Sequence, residues 1–356
     1  MKNYKIYIFV SIFFFSSVFI LNGDVRKENL QLKELFLNNS TYLYKTPTGL
    51  KIKDKTLYVL DNSKSTIFTY VINQENIRFQ SNIGRPGKGP GDLNYPFNIC
   101  FSDNHIGVQD NVGISFFSYL GKFKSRFRIF GIIHDLELNG DMTYILNPDI
   151  KSQKMIHQFD KNGKKIRTFG SFFLKFKKEN KKNIFWLYEG FLENDGRTLL
   201  YFSALYGKVI RFNFDGKKIE EKSYLPFIKH NGDKLLKINN ELLKTGIEKK
   251  GSFFTGFSIL GNVVVAKKYI YLLSLENFYS DEYLINKKKY KKPPMETIII
   301  KVIDKDHWKL EKEYKIQAEH IYYDAFDVQE INGKSKFFIC YSSLSGNSLG
   351  YAEESN

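Results

Sequence analysis

Short runs of Val, Ile, Phe, Tyr and Leu dominate the chain beyond residue 45, and Gly, Asn and Asp separate them. Runs with this punctuation are typical of β-strands joined by tight turns. Two of the runs resemble each other: Leu57–Ser63 reads LYVLDNS, and Ile106–Val112 reads IGVQDNV, with the two aspartates 49 residues apart. A second apolar run follows each of them, so both stretches predict a β-hairpin.

A second repeated pattern places a glycine and a lysine between two apolar runs. It occurs at Ser118–Phe123, Phe159–Ile166 and Phe214–Ile219, and its glycines are 42 and 53 residues apart. Glycine is suited to such turns because it adopts a positive φ without steric cost. These stretches therefore predict three more hairpins at a similar spacing.

A period near 45 residues with about four strands in each repeat indicates a β-propeller, because one such sheet cannot bury both faces alone. The sequence therefore predicts an all-β fold with six four-stranded antiparallel blades in residues 24–356. The repeats lie at about 46–83, 96–130, 131–170, 184–228, 252–317 and 323–353.

The last two repeats depart from this pattern. The fifth is predicted to hold strands at 253–260, 262–275, 297–303 and 308–316, with insertions near 229–250 and 280–294. The apolar spacing within 233–248 predicts an amphipathic helix between blades four and five, either packed on the propeller or covering one mouth of its channel. The sixth repeat has only three strands, and residues 30–44 are expected to supply its outer strand and close the ring.

The first 23 residues form a separate segment. Lys2 and Lys5 precede the uncharged apolar run Ile6–Leu21, which is the arrangement of a secretory signal peptide. Because a small-x-small cleavage site is poorly formed, an uncleaved signal anchor is the alternative. The sequence therefore predicts a periplasmic, extracellular or membrane-anchored protein.

The stretch Ile83–Pro96, IGRPGKGPGDLNYP, together with the Asp110–Asn111 strand end and the Gly121–Lys122 turn, resembles the NHL-repeat-like six-bladed propellers of bacteria. The resemblance is clear over 57–123 and fainter to 220, and blades three to six lack the Gly-Pro-Gly loop. It implies the fold, whereas such propellers serve as binding modules, scaffolds and, less often, enzymes. The loop itself is expected to be a rigid connector, with Arg85 and Lys88 as an anion-binding pair at one rim.

The net charge of +16 does not predict nucleic-acid binding, because only 8 of the 54 basic residues are arginine and the lysines are spread along the chain. A charge of +14 remains without residues 1–23, which leaves contact with an acidic polymer or membrane surface as a hypothesis. Cys100 and Cys340 are expected to be isolated buried thiols.

Catalytic and metal motifs are not recognisable. Gly346–Gly350 matches GxSxG, but no histidine follows it, so the match is attributed to chance. The six histidines form no HxH or HExxH pair, and no cofactor is predicted; Ca²⁺ in the channel is conceivable but no pattern indicates it. No catalytic residue is assigned, and the metal ligands are unknown.

The sequence therefore predicts an exported binding or interaction protein, with an unidentified protein, glycan or small molecule as its ligand. Its expected surfaces are one channel mouth and the lysine-bearing loops 161–182 and 286–292. The alternative is a metal-dependent propeller hydrolase or lactonase, and whether the chain is an enzyme stays open. Three or more inward Asp, Glu, Asn or His side chains at one channel end would favour the enzyme, and an apolar or lysine-lined channel would favour binding.

Overall fold

The computed structural model describes residues 25–34, 47–73, 77–129, 133–173, 187–228, 237, 258–274, 295–343 and 346–354. Within these residues, no helix has the length and apolar content that crossing a bilayer requires. The signal segment 1–23 and the predicted insertion near 280–294 lie outside the described residues. In the predicted helix 233–248 only Lys237 is described; it is helical and exposed.

Two short strands, β1 (Arg26–Gln31) and β2 (Lys33–Glu34), precede the first blade. Four separate four-stranded antiparallel sheets follow, each with its strands in chain order from the channel outwards. Blade one contains β3 (Pro47–Lys53), β4 (Thr56–Asp61), β5 (Thr66–Ile72) and β6 (Ile77–Ile83). Blade two contains β7 (Asn98–Phe101), β8 (Ile106–Gln109), β9 (Ile114–Phe117) and β10 (Phe123–Phe127). Blade three contains β11 (Asp135–Asn139), β12 (Met142–Asp149), β13 (Lys154–Phe159) and β14 (Lys165–Ser171). Blade four contains β15 (Gly190–Asn194), β16 (Leu199–Ser203), β17 (Lys208–Phe212) and β18 (Lys218–Ser223), and a 3-10 helix at Leu225–Phe227 follows it.

Blades five and six share one long strand. Blade five contains β19 (Leu260–Val265), β20 (Tyr269–Ser274), β21 (Met295–Asp304) and the first part of β22 (Lys309–Ile331). The second part of β22 is the inner strand of blade six, followed by β23 (Lys334–Ser343) and β24 (Gly346–Glu353). The structure thus confirms the all-β, six-bladed architecture.

The N-terminal strands close the ring. Lys33 and Glu34 of β2 pair antiparallel with Tyr351 and Gly350 of β24, so the predicted outer strand of blade six is present at these two residues, while residues 35–44 lie outside the described residues. β1 also pairs in parallel with the first part of β22, which gives blade five a fifth strand that the sequence pattern did not indicate. Each free strand edge that is covered in this way no longer offers a template for aggregation.

Two strand predictions in blade five differ from the structure. Of the predicted strand 253–260, residues 253–257 lie outside the described residues, and β19 begins only at Leu260. The apolar run 262–275 is not one strand, because it is divided between β19 and β20, which pair antiparallel with each other. The Ala266 N–H donates to the Tyr269 carbonyl at 2.9 Å and closes the turn. Two lysines, Lys267 and Lys268, occupy this turn, and a lysine pair carries none of the glycine or asparagine chemistry by which turns are usually recognised.

The turn predictions of the regular blades are confirmed. Gly121, Gly163 and Gly216 have φ values of 81°, 80° and 80°, and each joins the third and fourth strands of its blade. The aspartates of the Asp-Asn strand ends also form local hydrogen bonds. The Asp61 carboxylate accepts the Lys64 N–H at 2.8 Å, and that of Asp110 accepts the Val112 N–H at 2.8 Å, so both aspartates stabilise the middle hairpin of their blade.

The apolar core is divided among the blade interfaces. In the described residues, six clusters of buried side chains each combine two neighbouring blades; the cluster between blades six and one, for example, includes Phe338, Cys340, Val59 and Tyr70. Cys100 and Cys340 are buried thiols, as predicted. Burial between neighbours therefore holds the ring together.

Candidate functional site: the central channel

The inner strands of the six blades surround a central channel. A cavity of about 240 Å³ occupies it, and all six blades contribute to its lining: Thr48, Gly49, Leu50, Lys51, Phe97, Asn98, Ile99, His134, Asp135, Leu136, Glu137, Phe191, Leu192, Glu193, Gly261, Asn262 and Ala325. Phe97 and His134 belong to the segments that lead into inner strands, so the cavity lies toward the face where those segments run.

An ion pair crosses the channel. Lys51 on β3 of blade one reaches Glu193 on β15 of blade four, and its Nζ lies 3.2 Å from Glu193 Oε1. Blades one and four are opposite each other in a six-membered ring, so the pair spans the channel. The side chain of Lys51 is 26% exposed and that of Glu193 is 11% exposed.

Carboxylates in the channel also join neighbouring blades. Asp135 of blade three accepts the Leu192 N–H of blade four at 2.7 Å, and Asp327 of blade six accepts the Ile52 N–H of blade one at 2.6 Å. Glu193 accepts the Val265 N–H of blade five at 3.3 Å. An inner strand pairs on one side only, so its channel-facing N–H groups need partners from elsewhere. The carboxylates therefore satisfy backbone donors at three blade junctions.

The pKa values of these groups reflect their crowding. Burial raises the pKa of Asp135 to about 7 and that of Asp327 to about 6, although Lys51 and backbone N–H groups oppose both shifts. Burial and the nearby Glu193 hold the pKa of Glu137 well above its usual value. For Lys51, burial lowers the pKa, but Glu193 and the other carboxylates more than offset this, so its pKa is raised. Lys51 is therefore a firmly charged ammonium among carboxylates that release protons reluctantly.

The channel contains both features named in the sequence analysis. Its inward carboxyl groups are what was expected of an enzyme, and its lysine is what was expected of a binding protein. Within the described residues, no group of three or more His, Cys, Asp or Glu side chains is arranged to hold a metal ion. The Lys51 ammonium instead supplies the positive charge among the carboxylates.

None of these charged channel residues was predicted from the sequence. The available signal was a charge between apolar neighbours in a strand, as in Leu50-Lys51-Ile52 and Leu136-Glu137-Leu138. In an antiparallel strand such a pattern is equally typical of a solvent-facing side, and only ring closure turns that side toward an enclosed channel.

The predicted rim pair lies in the loop between β6 and β7. Both Arg85 and Lys88 are exposed, and Arg85 Nε donates to Asp92 Oδ1 at 2.7 Å within the same loop. Arg126 holds the loop by donating to the carbonyl oxygens of Lys88, Gly89 and Asp92, and it pairs with the buried Asp110 at 3.3 Å. The loop is therefore a well-braced connector, and anion binding by Arg85 and Lys88 stays a prediction. Of the lysine-bearing loops, residues 174–182 and 286–292 lie outside the described residues.

The ring of blades around a charged channel defines this chain as a six-bladed β-propeller. No protein-family model matches the chain, and no curated protein matches it. Among solved structures, it is similar to a candidate exported protein from Bacteroides fragilis, with a TM-score of 0.56, 12% identity, and coverage of 93% of this chain and 99% of the other.

Two further solved structures resemble the chain at lower TM-scores. Virginiamycin B lyase from Staphylococcus aureus gives a TM-score of 0.47 at 11% identity, covering 92% of this chain and all (100%) of the enzyme. The WD40 domain of Pan2 from Neurospora crassa gives 0.49 at 8% identity, covering 88% of this chain and 90% of the other. At such identities the likeness concerns the fold alone.

Proposed function

We propose that the protein is an exported binding protein whose ligand enters the central channel and carries a positively charged group. The supporting observation is the charge balance of the channel, where one ammonium, that of Lys51, lies near the carboxyl groups of Asp135, Glu137, Glu193 and Asp327. Concave cavities with a few convergent polar groups are the usual ligand sites of proteins. At about 240 Å³ the cavity suits a ligand smaller than a drug-sized molecule.

The raised pKa values support a cationic ligand. A carboxyl group whose pKa is raised by burial and by a neighbouring carboxylate is stabilised in its charged form when a further cation arrives. An anionic ligand would instead have to approach these carboxylates with only Lys51 in its favour. The channel therefore discriminates by charge.

Three sugars that share one ring skeleton test this proposal. Glucosamine, glucose and glucuronate share a pyranose ring and differ in charge. We expect glucosamine to bind most tightly and glucuronate least, measured by NMR titration of the purified protein at pH 7.5. Glu193→Gln should weaken glucosamine binding about three- to tenfold, since a charged hydrogen bond contributes about 1.5 kcal/mol or more.

The matched control for that variant is Glu311→Gln, which removes a carboxylate far from the channel. Equal affinities across the series, or equal effects of the two variants, would contradict the proposal.

The second candidate function, a metal-dependent hydrolase, is favoured by the four carboxyl groups in one channel. Stoichiometric Ca²⁺ binding together with Ca²⁺-dependent hydrolysis of a lactone, both abolished by Glu193→Gln, would favour that candidate instead.

Export is the second part of the proposal and rests on residues 1–23, where Lys2 and Lys5 precede an uncharged apolar run. Fusion of residues 1–23 to an alkaline phosphatase that lacks its own signal tests it, because this enzyme forms its disulfides only after export. An active phosphatase is expected, and an inactive one would rule out export by this segment.

The NHL-like assignment of residues 57–123 remains part of the proposal, supported by the braced Gly-Pro-Gly loop.

A further inference from the structure

A second cavity, of about 460 Å³, lies between blades two and three. We call it the rim pocket, and its lining residues are Asn104, His105, Phe116, Lys124, Ser125, Asp141 and Lys161. It is built from turns that follow inner strands and from turns that precede outer strands, whereas the channel cavity lies toward the segments that enter inner strands. The two cavities are therefore on opposite faces of the ring.

A buried histidine forms part of its floor. The His105 side chain belongs to a residue that is 9% exposed, and its ring lies edge-on to Phe116 at a centroid distance of 5.3 Å. The backbone of His105 is held by Ser102, whose N–H donates to the His105 carbonyl at 2.9 Å. His105 also lines the rim pocket, so its imidazole is placed to contact a ligand there.

A β-bulge directs a lysine to the same pocket. In the pairing of β9 with β10, Phe123 and Ser125 have partners and Lys124 does not, so Lys124 is the extra residue of the bulge. Bulges re-aim side chains and recur at functional sites. Blades three and four have the same bulge three residues after the turn glycine, but there the extra residue is Ile166 or Ile219. A lysine at this position thus distinguishes blade two.

The remaining charges of the rim pocket come from blade three. Lys161 lies in the turn between β13 and β14, and its Nζ is 3.6 Å from Asp141 Oδ2. Lys124 donates to the Asn104 carbonyl at 3.2 Å, which leaves its other two N–H groups for a ligand. Burial and the nearby Lys124 lower the pKa of His105, while Asp141 opposes this, so the imidazole is neutral at pH 7. With Lys124, Lys161 and Asp141 charged, the pocket carries one net positive charge.

We propose that the rim pocket binds a small organic anion, with its carboxylate or phosphate between Lys124 and Lys161 and its apolar part against Phe116 beside His105. The volume falls within the range of about 300–1,000 Å³ that is typical of small-molecule sites. Lysine ammonium groups bind such anions as point charges, and the imidazole provides one directional hydrogen bond.

Three probes of one ring size test the inference: benzoate, phenyl phosphate and neutral benzyl alcohol. We expect benzoate or phenyl phosphate to bind the purified protein in NMR titrations and benzyl alcohol to bind at least tenfold more weakly. The bound anion should shift the His105 C2–H resonance and raise the pKa of that imidazole. The stronger of the two anions identifies whether a carboxylate or a phosphate is preferred.

Lys124→Gln should weaken binding of the preferred anion about three- to tenfold, because it removes one charged hydrogen bond. Lys122→Gln is the matched control, since Lys122 is also exposed and lies two residues away outside the lining. Lys124→Gln should also raise the pKa of His105 in the free protein. Absence of binding by both anions, equal binding of benzyl alcohol, or equal weakening by the two variants would overturn the proposal.

Discussion

The channel and the rim pocket are both built at blade junctions, yet they hold charge in opposite ways. In the channel, Lys51 and its surrounding carboxyl groups hydrogen-bond to other parts of the protein and join blades together. In the rim pocket, Lys124 and Lys161 are exposed, and the ring of the buried His105 packs against Phe116. The charged groups at the centre of the ring therefore join blades as well as shape a site, whereas the ammonium groups of Lys124 and Lys161 at the rim are exposed and can reach a ligand.

This difference also explains why the net charge of the chain did not predict the charge of its channel. The chain is strongly basic, but the cavity that all six blades share is rich in carboxyl groups. A total charge sums over surface lysines that never meet, while a site depends on the few groups that the fold brings together.

The largest expected effect comes from removing the channel cation. Lys51→Met should lower the free energy of unfolding by about 3–5 kcal/mol at pH 8, because it leaves buried carboxylates without their counter-ion. At pH 5 the loss should be smaller, since the raised pKa values of Asp135 and Asp327 let them become neutral. Urea denaturation at both pH values measures this.

Two lysine substitutions outside the channel serve as controls for Lys51→Met. Lys55→Met, in the exposed turn after β3, and Lys124→Gln, in the rim pocket, should each change stability by less than about 0.5 kcal/mol. A loss for Lys51→Met that is no greater than theirs, or that is the same at both pH values, would show that the channel charges do not stabilise the ring.

A somewhat smaller effect is expected from Asp327. Its pKa is raised from 3.8 to about 6, so the folded state binds its proton more tightly, and this contribution to stability is complete below pH 4 and lost as the pH rises through 6. Asp327→Asn removes that dependence. Relative to the wild type, the variant should gain about 2–3 kcal/mol between pH 4 and pH 8, as measured by urea denaturation at each pH.

A carboxylate with the opposite shift serves as its control. Arg85 and the Gly89 N–H lower the pKa of Asp92, so its contribution to stability is present above the unfolded pKa and lost as the pH falls. Asp92→Asn should therefore lose stability relative to the wild type as the pH rises. Curves of the same sign for the two variants would mean that the channel does not hold Asp327 as described.

The smallest effect concerns the wall of the rim pocket. Gly163 has a φ of 80°, and a Cβ added there would lie 2.4 Å from Phe127 Cβ, so Gly163→Ala should cost about 1–2 kcal/mol and displace the turn that carries Lys161. Thermal or urea denaturation measures the stability, and anion titration measures the pocket.

Gly140→Ala separates the contribution of the clash from that of the backbone. Gly140 also has a positive φ, of 57°, but a Cβ there meets nothing within 4 Å. It should cost less and leave anion binding intact. Glucosamine binding in the channel should survive both changes, and its loss in Gly163→Ala would mean that the two cavities are not independent.

The sequence predicted the hairpins because their causes are local. Gly163 and Gly216 provide positive φ values at turns, and Asp61 and Asp110 accept hydrogen bonds from residues two or three positions further along the chain. The apolar runs between them supply the strand propensity. Where a turn lacked such residues, as at Lys267–Lys268, the strand prediction failed.

The sequence by itself therefore determined the blades, their number and the need for an outer strand from the N-terminal segment. Only the tertiary structure decided that Lys51 lies against Glu193, 142 positions away in the chain, and that a bulge brings Lys124 to a pocket shared with His105 and Lys161. The physical reason is that turns and strands depend on neighbouring residues, whereas charge pairing and pockets arise when ring closure brings distant strands together.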